Sequence, residues 1–200
     1  MANDRAVLRL PARRIPVPSS ISAEAQTVLS AAAATAMQWG EYPALDDVAG
    51  WQEYRRVADG NMMMMLGAIV QQLQPFEIAL VKAGAASAHQ IDARACAVGR
   101  VLLSVHGGAL IAGGGTVCGL LAHVQAVATG ALVVAPDYRM PPEHPYPAAL
   151  DDCMAIYRTV LEEHDPAEVV LHGMSAGGNL AAAMVLRAKT EGLPMPAGLI

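Results

Sequence analysis

The sequence predicts an α/β fold, a doubly wound and mostly parallel sheet with helices on both faces. Three short, almost uninterrupted apolar segments lie at 100–105, 131–135 and 169–172. Strands buried on both faces of a sheet have this continuous apolar character. Segments with helical spacing alternate with them across short connections, which favours parallel strands joined by right-handed crossovers.

The region before residue 75 has a different pattern, and we predict an arm followed by two helices. Residues 1–20 are interrupted by prolines, and an alanine-rich helix is expected over 23–37, capped by Ser20 or Ser22. A second helix is predicted over 48–73, with a cap at the preceding aspartate pair and a break or kink near 59–61.

The remaining elements follow in order along the chain. Two strands joined by a turn at Gly84 are predicted first, and the three apolar strands then alternate with helices. The predicted ranges outside the three apolar segments are strands at 76–82, 86–91 and from 196, and helices at 117–129, 148–164 and 176–190.

Four consecutive methionines, 62–65, lie within the second predicted helix. Methionine fills irregular spaces in protein cores, so core packing is one interpretation. The other is that this flexible apolar face lines a pocket for an apolar substrate.

The third apolar strand runs directly into Gly173-Met174-Ser175-Ala176-Gly177. A serine in Gly-x-Ser-x-Gly between a strand and a helix lies on a sharp, strained turn, which only small neighbours permit. The following helix directs its first N–H groups towards the place where an oxyanion would form. The alternative is a glycine-rich turn with an incidental serine.

A second glycine-rich stretch, His106-Gly107-Gly108-Ala109, follows the first apolar strand. Such a loop can turn backbone N–H groups inward, which is what an oxyanion hole requires. We expect His106 to hold the loop by hydrogen bonding rather than to act as a base.

A third stretch, 137–152, reads Asp-Tyr-Arg-Met-Pro-Pro-Glu-His-Pro-Tyr-Pro-Ala-Ala-Leu-Asp-Asp. Together with His106-Gly107-Gly108 and Gly173–Gly178, it resembles the hormone-sensitive-lipase-like branch of the α/β-hydrolases. These are the bacterial esterases with His-Gly-Gly-Gly and Gly-Asp-Ser-Ala-Gly-Gly motifs. The resemblance implies an α/β-hydrolase fold whose C-terminal part is missing, with 1–74 as N-terminal arm and cap helices and 75–200 as an incomplete core.

The resemblance also implies roles for individual residues. Ser175 would be the nucleophile, and Gly107, Gly108, Ala109 and Ala176 would form the oxyanion hole, with Gly107 shaping the loop. A supporting polar cluster would comprise His106, Asp137, Arg139 and Glu143. Leu110 and Tyr146 are candidates for substrate contact.

The sequence departs from the family pattern at three places. Ala109 replaces a glycine, which keeps its N–H but restricts the backbone, and Met174 replaces an aspartate. The triad order is serine, acid, histidine, yet the sequence stops 25 residues after Ser175. We therefore expect the triad acid and histidine not to lie in this chain, and the chain alone to be inactive.

The implied reaction is hydrolysis of short- to medium-chain esters or small lactones through an acyl-serine intermediate, without a cofactor. A non-catalytic small-molecule-binding protein on the same fold is the alternative, and amide hydrolysis would use the same residues.

Composition limits the partners and the compartment. The net charge of −5 and the absence of a basic run argue against nucleic acid. The longest apolar run, 62–70, is too short to span a membrane.

The three cysteines have no metal-type spacing, which predicts reduced thiols in the cytoplasm and no metal. The glycines at 113–119 lack the lysine of a nucleotide-binding loop. The sequence leaves open whether the chain forms a homo-oligomer.

Overall fold

The computed structural model describes residues 14–34, 42–94 and 99–200. The chain divides into two compact units, one within residues 1–41 and one formed by residues 42–200. The predicted division at residue 74 stays a prediction.

The described part of the first unit contains one helix, α1 (Ala23–Ala34). The N–H of Ala25 donates to Ser22 Oγ at 3.2 Å, so Ser22 rather than Ser20 caps this helix. The predicted continuation to residue 37 lies outside the described residues.

The second unit contains the alternating elements that the sequence predicts. Its helices are α2 (Val48–Val70), α3 (Thr116–Thr129), α4 (Ala148–Glu163) and α5 (Ala176–Glu191). Its strands are β1 (Ala79–Ala83), β2 (Ala86–Asp92), β3 (Val101–Val105), β4 (Leu132–Pro136), β5 (Val169–Gly173) and β6 (Gly198–Leu199).

Helix α2 and strand β1 differ from the prediction. Helix α2 is capped by Asp47, whose Oδ1 accepts from the Gly50 N–H at 2.8 Å, and it continues through residues 59–61 without the expected break. Strand β1 begins at Ala79 rather than at 76, and Phe76 instead packs against the core with its ring edge-on to His123.

The described strands form one sheet in the order β1-β2-β4-β3-β5-β6. Strand β2 pairs antiparallel with both β1 and β4, and the other neighbours pair in parallel. The carboxyl ends of β3 and β5 therefore lie side by side, with Val105 opposite Gly173. This register brings together the two glycine-rich loops that follow these strands.

Alternate residues of the central strands enter cores on opposite faces of the sheet. Leu103 of β3 packs in a cluster with residues of α4 and α5, whereas Leu102 packs in a second cluster with residues of α3. Every residue of strands β3 and β4 is buried. Helices thus cover both faces, which confirms the doubly wound α/β prediction.

The methionine run does not serve as core packing, and that interpretation was wrong. Met63, Met64 and Met65 are 42%, 75% and 61% exposed, and Leu66 is the buried residue of this turn. Consecutive helical residues are about 100° apart, so four in a row must cover most of the helix circumference. None of the four lines the two cavities described below.

No helix in the described ranges combines the length and the apolar character needed to cross a bilayer.

Candidate active site

Ser175 occupies the sharp turn between β5 and α5, in the strand–turn–helix order that its motif predicts. Its backbone angles are φ 55° and ψ −121°, which a residue with a Cβ rarely adopts. Such strain persists only where the surrounding structure enforces it, and it is concentrated at functional sites.

The turn is enforced by close backbone packing. A Cβ on Gly173 would lie 2.5 Å from the carbonyl oxygen of Gly177, and a Cβ on Gly177 would lie 2.1 Å from that of Val105. Both distances are far below contact distance, so α5 can approach β3 and β5 only with glycine at these positions. The small residues that the sequence places around Ser175 are therefore a packing requirement.

The loop after β3 runs beside this turn. A Cβ on Gly107 would lie 2.8 Å from the carbonyl oxygen of Met174 and 3.2 Å from Ser175 Cβ. The next three residues, Gly108, Ala109 and Leu110, all have positive φ, at 115°, 56° and 62°. Ala109 thus adopts the left-handed conformation that the glycine of the family motif adopts more easily.

Three backbone donors at this place are free. Within the described part of the chain, the N–H groups of Gly108, Ala109 and Ala176 have no hydrogen-bond partner. The carbonyl of Gly108 accepts from Ile111 and Ala112 at 3.0 and 2.9 Å, which closes the loop into a turn. Free, fixed N–H groups beside a serine can stabilise an oxyanion.

His106 supports this loop from below. Its ring stacks on Tyr138 with centroids 4.1 Å apart, and Nδ1 lies 2.6 Å from the carbonyl oxygen of Gly107. The Tyr138 hydroxyl donates to the His106 carbonyl at 2.8 Å. Burial lowers the pKa of His106, so the ring is neutral and its Nδ1–H donates to Gly107. These contacts fit the supporting role predicted for His106.

The predicted polar cluster of Asp137, Arg139 and Glu143 is not one mutually bonded group. Asp137 Oδ1 accepts from the Gly115 N–H at 2.8 Å, at the start of α3. Arg139 pairs with Asp152 of α4, with Nη2 2.7 Å from Oδ1. Asp137, Arg139 and Glu143 each connect the loop after β4 to a different element, because their side chains point in different directions.

Glu143 makes the third of these ties, to α2. Its carboxylate accepts from Arg55 Nη2 at 2.6 Å and from Gln52 Nε2 at 2.8 Å. Arg55 Nη2 also donates to the Pro141 carbonyl at 2.7 Å. Sequence reasoning missed Arg55 and Asp152, since neither partner lies in a recognisable spacing with the residue that it binds.

The side chains of Asp137, Arg139 and Glu143 line a common polar cavity of about 440 Å³. A second, apolar cavity of about 400 Å³ lies against the loop after β3 (106–115), which we call the oxyanion loop. Its lining includes Ala109, Leu110 and Trp51. Of the two predicted substrate contacts, Leu110 lines the apolar cavity, whereas Tyr146 lines neither cavity and is 86% exposed.

Within the described ranges, the hydroxyl of Ser175 makes no hydrogen bond to a histidine and none that caps α5. His172 Nδ1 lies 3.1 Å from Ser104 Oγ and 3.2 Å from Gln125 Nε2. His123 Nε2 contacts the Gln74 carbonyl at 2.7 Å.

The contact of α2 with Glu143, in the loop 137–147 between β4 and α4, predicts a specific acid sensitivity. The Arg55 and Gln52 hydrogen bonds lower the pKa of Glu143 from 4.5 to about 2. A depressed pKa contributes stability that is present above about pH 4.5 and is lost as the pH falls towards 2. Glu143→Gln should therefore melt below the wild type at about pH 6, and the difference should shrink in melts towards about pH 2.5. An equal difference at every pH would contradict this contribution.

Comparison with known proteins agrees with this geometry. Residues 102–200 match a family model described as the alpha/beta hydrolase fold. An acetyl-hydrolase of Streptomyces hygroscopicus is 42% identical over 103 residues, which cover 51% of this chain and 34% of that protein. The match thus spans about one third of the relative's length.

Two solved structures extend the similarity. The crystal structure of an esterase, E25, superposes with a TM-score of 0.81 at 24% identity, over 96% of this chain and 60% of the other, which shows the shared fold. EstE7, a hormone-sensitive-lipase homologue from a metagenome library, is 31% identical with a TM-score of 0.58, over 74% of this chain and 55% of the other.

The fold and the sharp turn at Ser175 are those of an α/β-hydrolase. Its three motifs and these similarities support a place in the hormone-sensitive-lipase-like branch of that family.

Proposed function

We propose that the protein is a serine carboxylester hydrolase with Ser175 as its nucleophile. The observation that carries this proposal is the strained conformation of Ser175 beside three free backbone donors. Ser175 Oγ attacks the ester carbonyl and transfers its proton to a base, and the carbonyl oxygen becomes an oxyanion held by the N–H groups of Gly108, Ala109 and Ala176. The alcohol then leaves with a proton, and water hydrolyses the acyl-serine.

The base is a histidine oriented by an acid, and we propose that both follow residue 200 in the natural protein. Support comes from the triad order of α/β-hydrolases, in which both partners come after the serine. It also comes from the described histidines 89, 106, 123 and 172, whose rings contact other groups.

The proposed substrates are short- to medium-chain esters or small lactones. The apolar cavity of about 400 Å³ beside Ala109 is large enough for a short- to medium-chain acyl or alcohol group. Its lining by Leu110, Trp51 and prolines offers apolar contact without a charged side chain. The cytoplasm is the proposed compartment, since the described cysteines, 118 and 153, are free thiols.

A second candidate is a non-catalytic protein that binds the same small molecules. The hydroxyl of Ser175, which contacts no base in the described part of the chain, favours it. A serine without its base keeps little activity, because the triad acts as a unit.

Covalent labelling separates the two functions. The protein expressed from its natural gene is treated with a fluorophosphonate, and we expect one adduct, located on Ser175 by peptide mass spectrometry. The Ser175→Ala variant should remain unlabelled. A folded protein that binds an ester in calorimetry yet forms no adduct would support the binding function instead.

A further inference from the structure

We propose that His89, Cys118 and Asp137 form a zinc site. The three residues come from separate elements, β2, α3 and the segment directly after β4. Their ligand atoms all lie within 4.8 Å of one another. Imidazole, thiolate and carboxylate are the ligands that zinc takes in proteins. Sequence spacing gave no sign of the site, because the antiparallel pairing of β2 with β4 creates it.

The contact between His89 and Asp137 has the geometry of two ligands rather than of a hydrogen bond. His89 Nε2 lies 3.7 Å from Asp137 Oδ2. That is too long for a hydrogen bond, and this buried nitrogen has no other partner in the described structure. Two ligands bound to one tetrahedral zinc at about 2.0–2.1 Å lie about 3.4 Å apart. A small adjustment therefore admits the ion between them.

The groups around the site hold two of its ligands in position. Asp137 Oδ1 is fixed by the Gly115 N–H at 2.8 Å, which leaves Oδ2 directed at His89. The His89 ring packs over the backbone of Gly119, where a Cβ would lie 3.4 Å from Nδ1. Hydrogen bonds of this kind to a ligating carboxylate orient it and raise metal affinity.

The thiol of Cys118 is available as the third ligand. It is 1% exposed, and its S–H group donates only to the backbone carbonyls of Ala135 and Pro136, at 3.7 and 3.6 Å, so its sulfur lone pairs are free to bind a metal. Binding replaces the S–H bond by a zinc–sulfur bond and releases the thiol proton to solvent. Asp137 also lines the polar cavity, which gives the ion a path from solvent.

A bound ion would connect β2, α3 and the turn after β4. Asp137 holds Gly115, the last residue of the loop that supplies the oxyanion donors. The ion would therefore fix the far end of that loop, with water from the polar cavity in its fourth coordination position. The existence of the site does not depend on the proposed esterase activity.

Metal binding tests the proposal without any activity measurement. Purified protein is stripped with a chelator and titrated with zinc against a chromophoric chelator, and we expect one equivalent to bind and one proton to be released. Cys118→Ser and His89→Ala should each weaken binding by more than the roughly 10- to 100-fold lost with an outer-sphere partner. Cobalt should show a thiolate charge-transfer band that Cys118→Ser removes.

Cys153→Ser is the matched control, because Cys153 is also a buried free thiol but belongs to α4. Its zinc affinity should equal that of the wild type. Circular dichroism and melting curves check that each variant is folded, and Asp137→Asn provides a variant of unchanged size. The proposal would be overturned if the wild type bound no zinc. It would also be overturned if folded Cys118→Ser bound zinc with an affinity within twofold of the wild type.

Discussion

Replacement of Ser175 by alanine is expected to lower the turnover of p-nitrophenyl esters by about 10⁴- to 10⁶-fold, with little change in KM. The nucleophile is lost, whereas the apolar cavity and the free N–H groups that bind the ester remain. The assay uses the protein expressed from its natural gene, with kcat and KM measured separately.

Two further variants make the result specific. Ser30→Ala removes a serine hydroxyl from α1, where it donates to the Gln26 carbonyl, and should leave turnover unchanged. Ser175→Gly should abolish turnover yet raise the free energy of unfolding by about 1 kcal/mol, because glycine adopts positive φ without strain. Turnover by Ser175→Ala within tenfold of the wild type would refute the nucleophile.

The sequence was sufficient to predict the elements whose patterns are local. The apolar strands at 101–105 and 132–136 were found because both faces of each are buried, which makes them continuously apolar. The sharp turn at Ser175 was found because only small residues fit there. The structure shows why, since a Cβ on Gly177 would lie 2.1 Å from the carbonyl oxygen of Val105.

Features that depend on the path of the chain in space could not be predicted in this way. The sheet order, with β4 between β2 and β3, brings His89 to Asp137, and no spacing in the sequence records that. Similarly, Glu143 and Arg139 lie close in sequence but bind different helices. The methionine run was misread because composition does not indicate which face of α2 is buried.

Ala109 illustrates how a departure from a motif is resolved by structure. The sequence raised the question of whether alanine could take the place of glycine in the oxyanion loop. The structure gives it φ 56°, in the left-handed region that alanine adopts at a cost. The N–H of Ala109 is free in the described structure, so the donor is retained while this loop carries backbone strain at Ala109 and at its neighbour Leu110.

Substitution of Gly177 by alanine is expected to destabilise the fold by about 3 kcal/mol or more, as overpacking of a rigid site does. The new Cβ would meet the carbonyl oxygens of Val105 and His106 at 2.1 and 2.5 Å. These are backbone atoms of β3 and the oxyanion loop, so neither can yield without moving the site. Urea unfolding, with the slope compared between variants, measures the loss.

Gly67→Ala is the matched control, since it makes the same chemical change in the interior of another helix. No atom lies within 4 Å of a Cβ at Gly67, so only helix propensity acts there. Alanine should stabilise α2 by about 0.5–1 kcal/mol. The two glycine-to-alanine changes therefore have opposite expected signs, and a Gly177→Ala variant as stable as the wild type would mean that α5 does not approach β3 as closely as this fold requires.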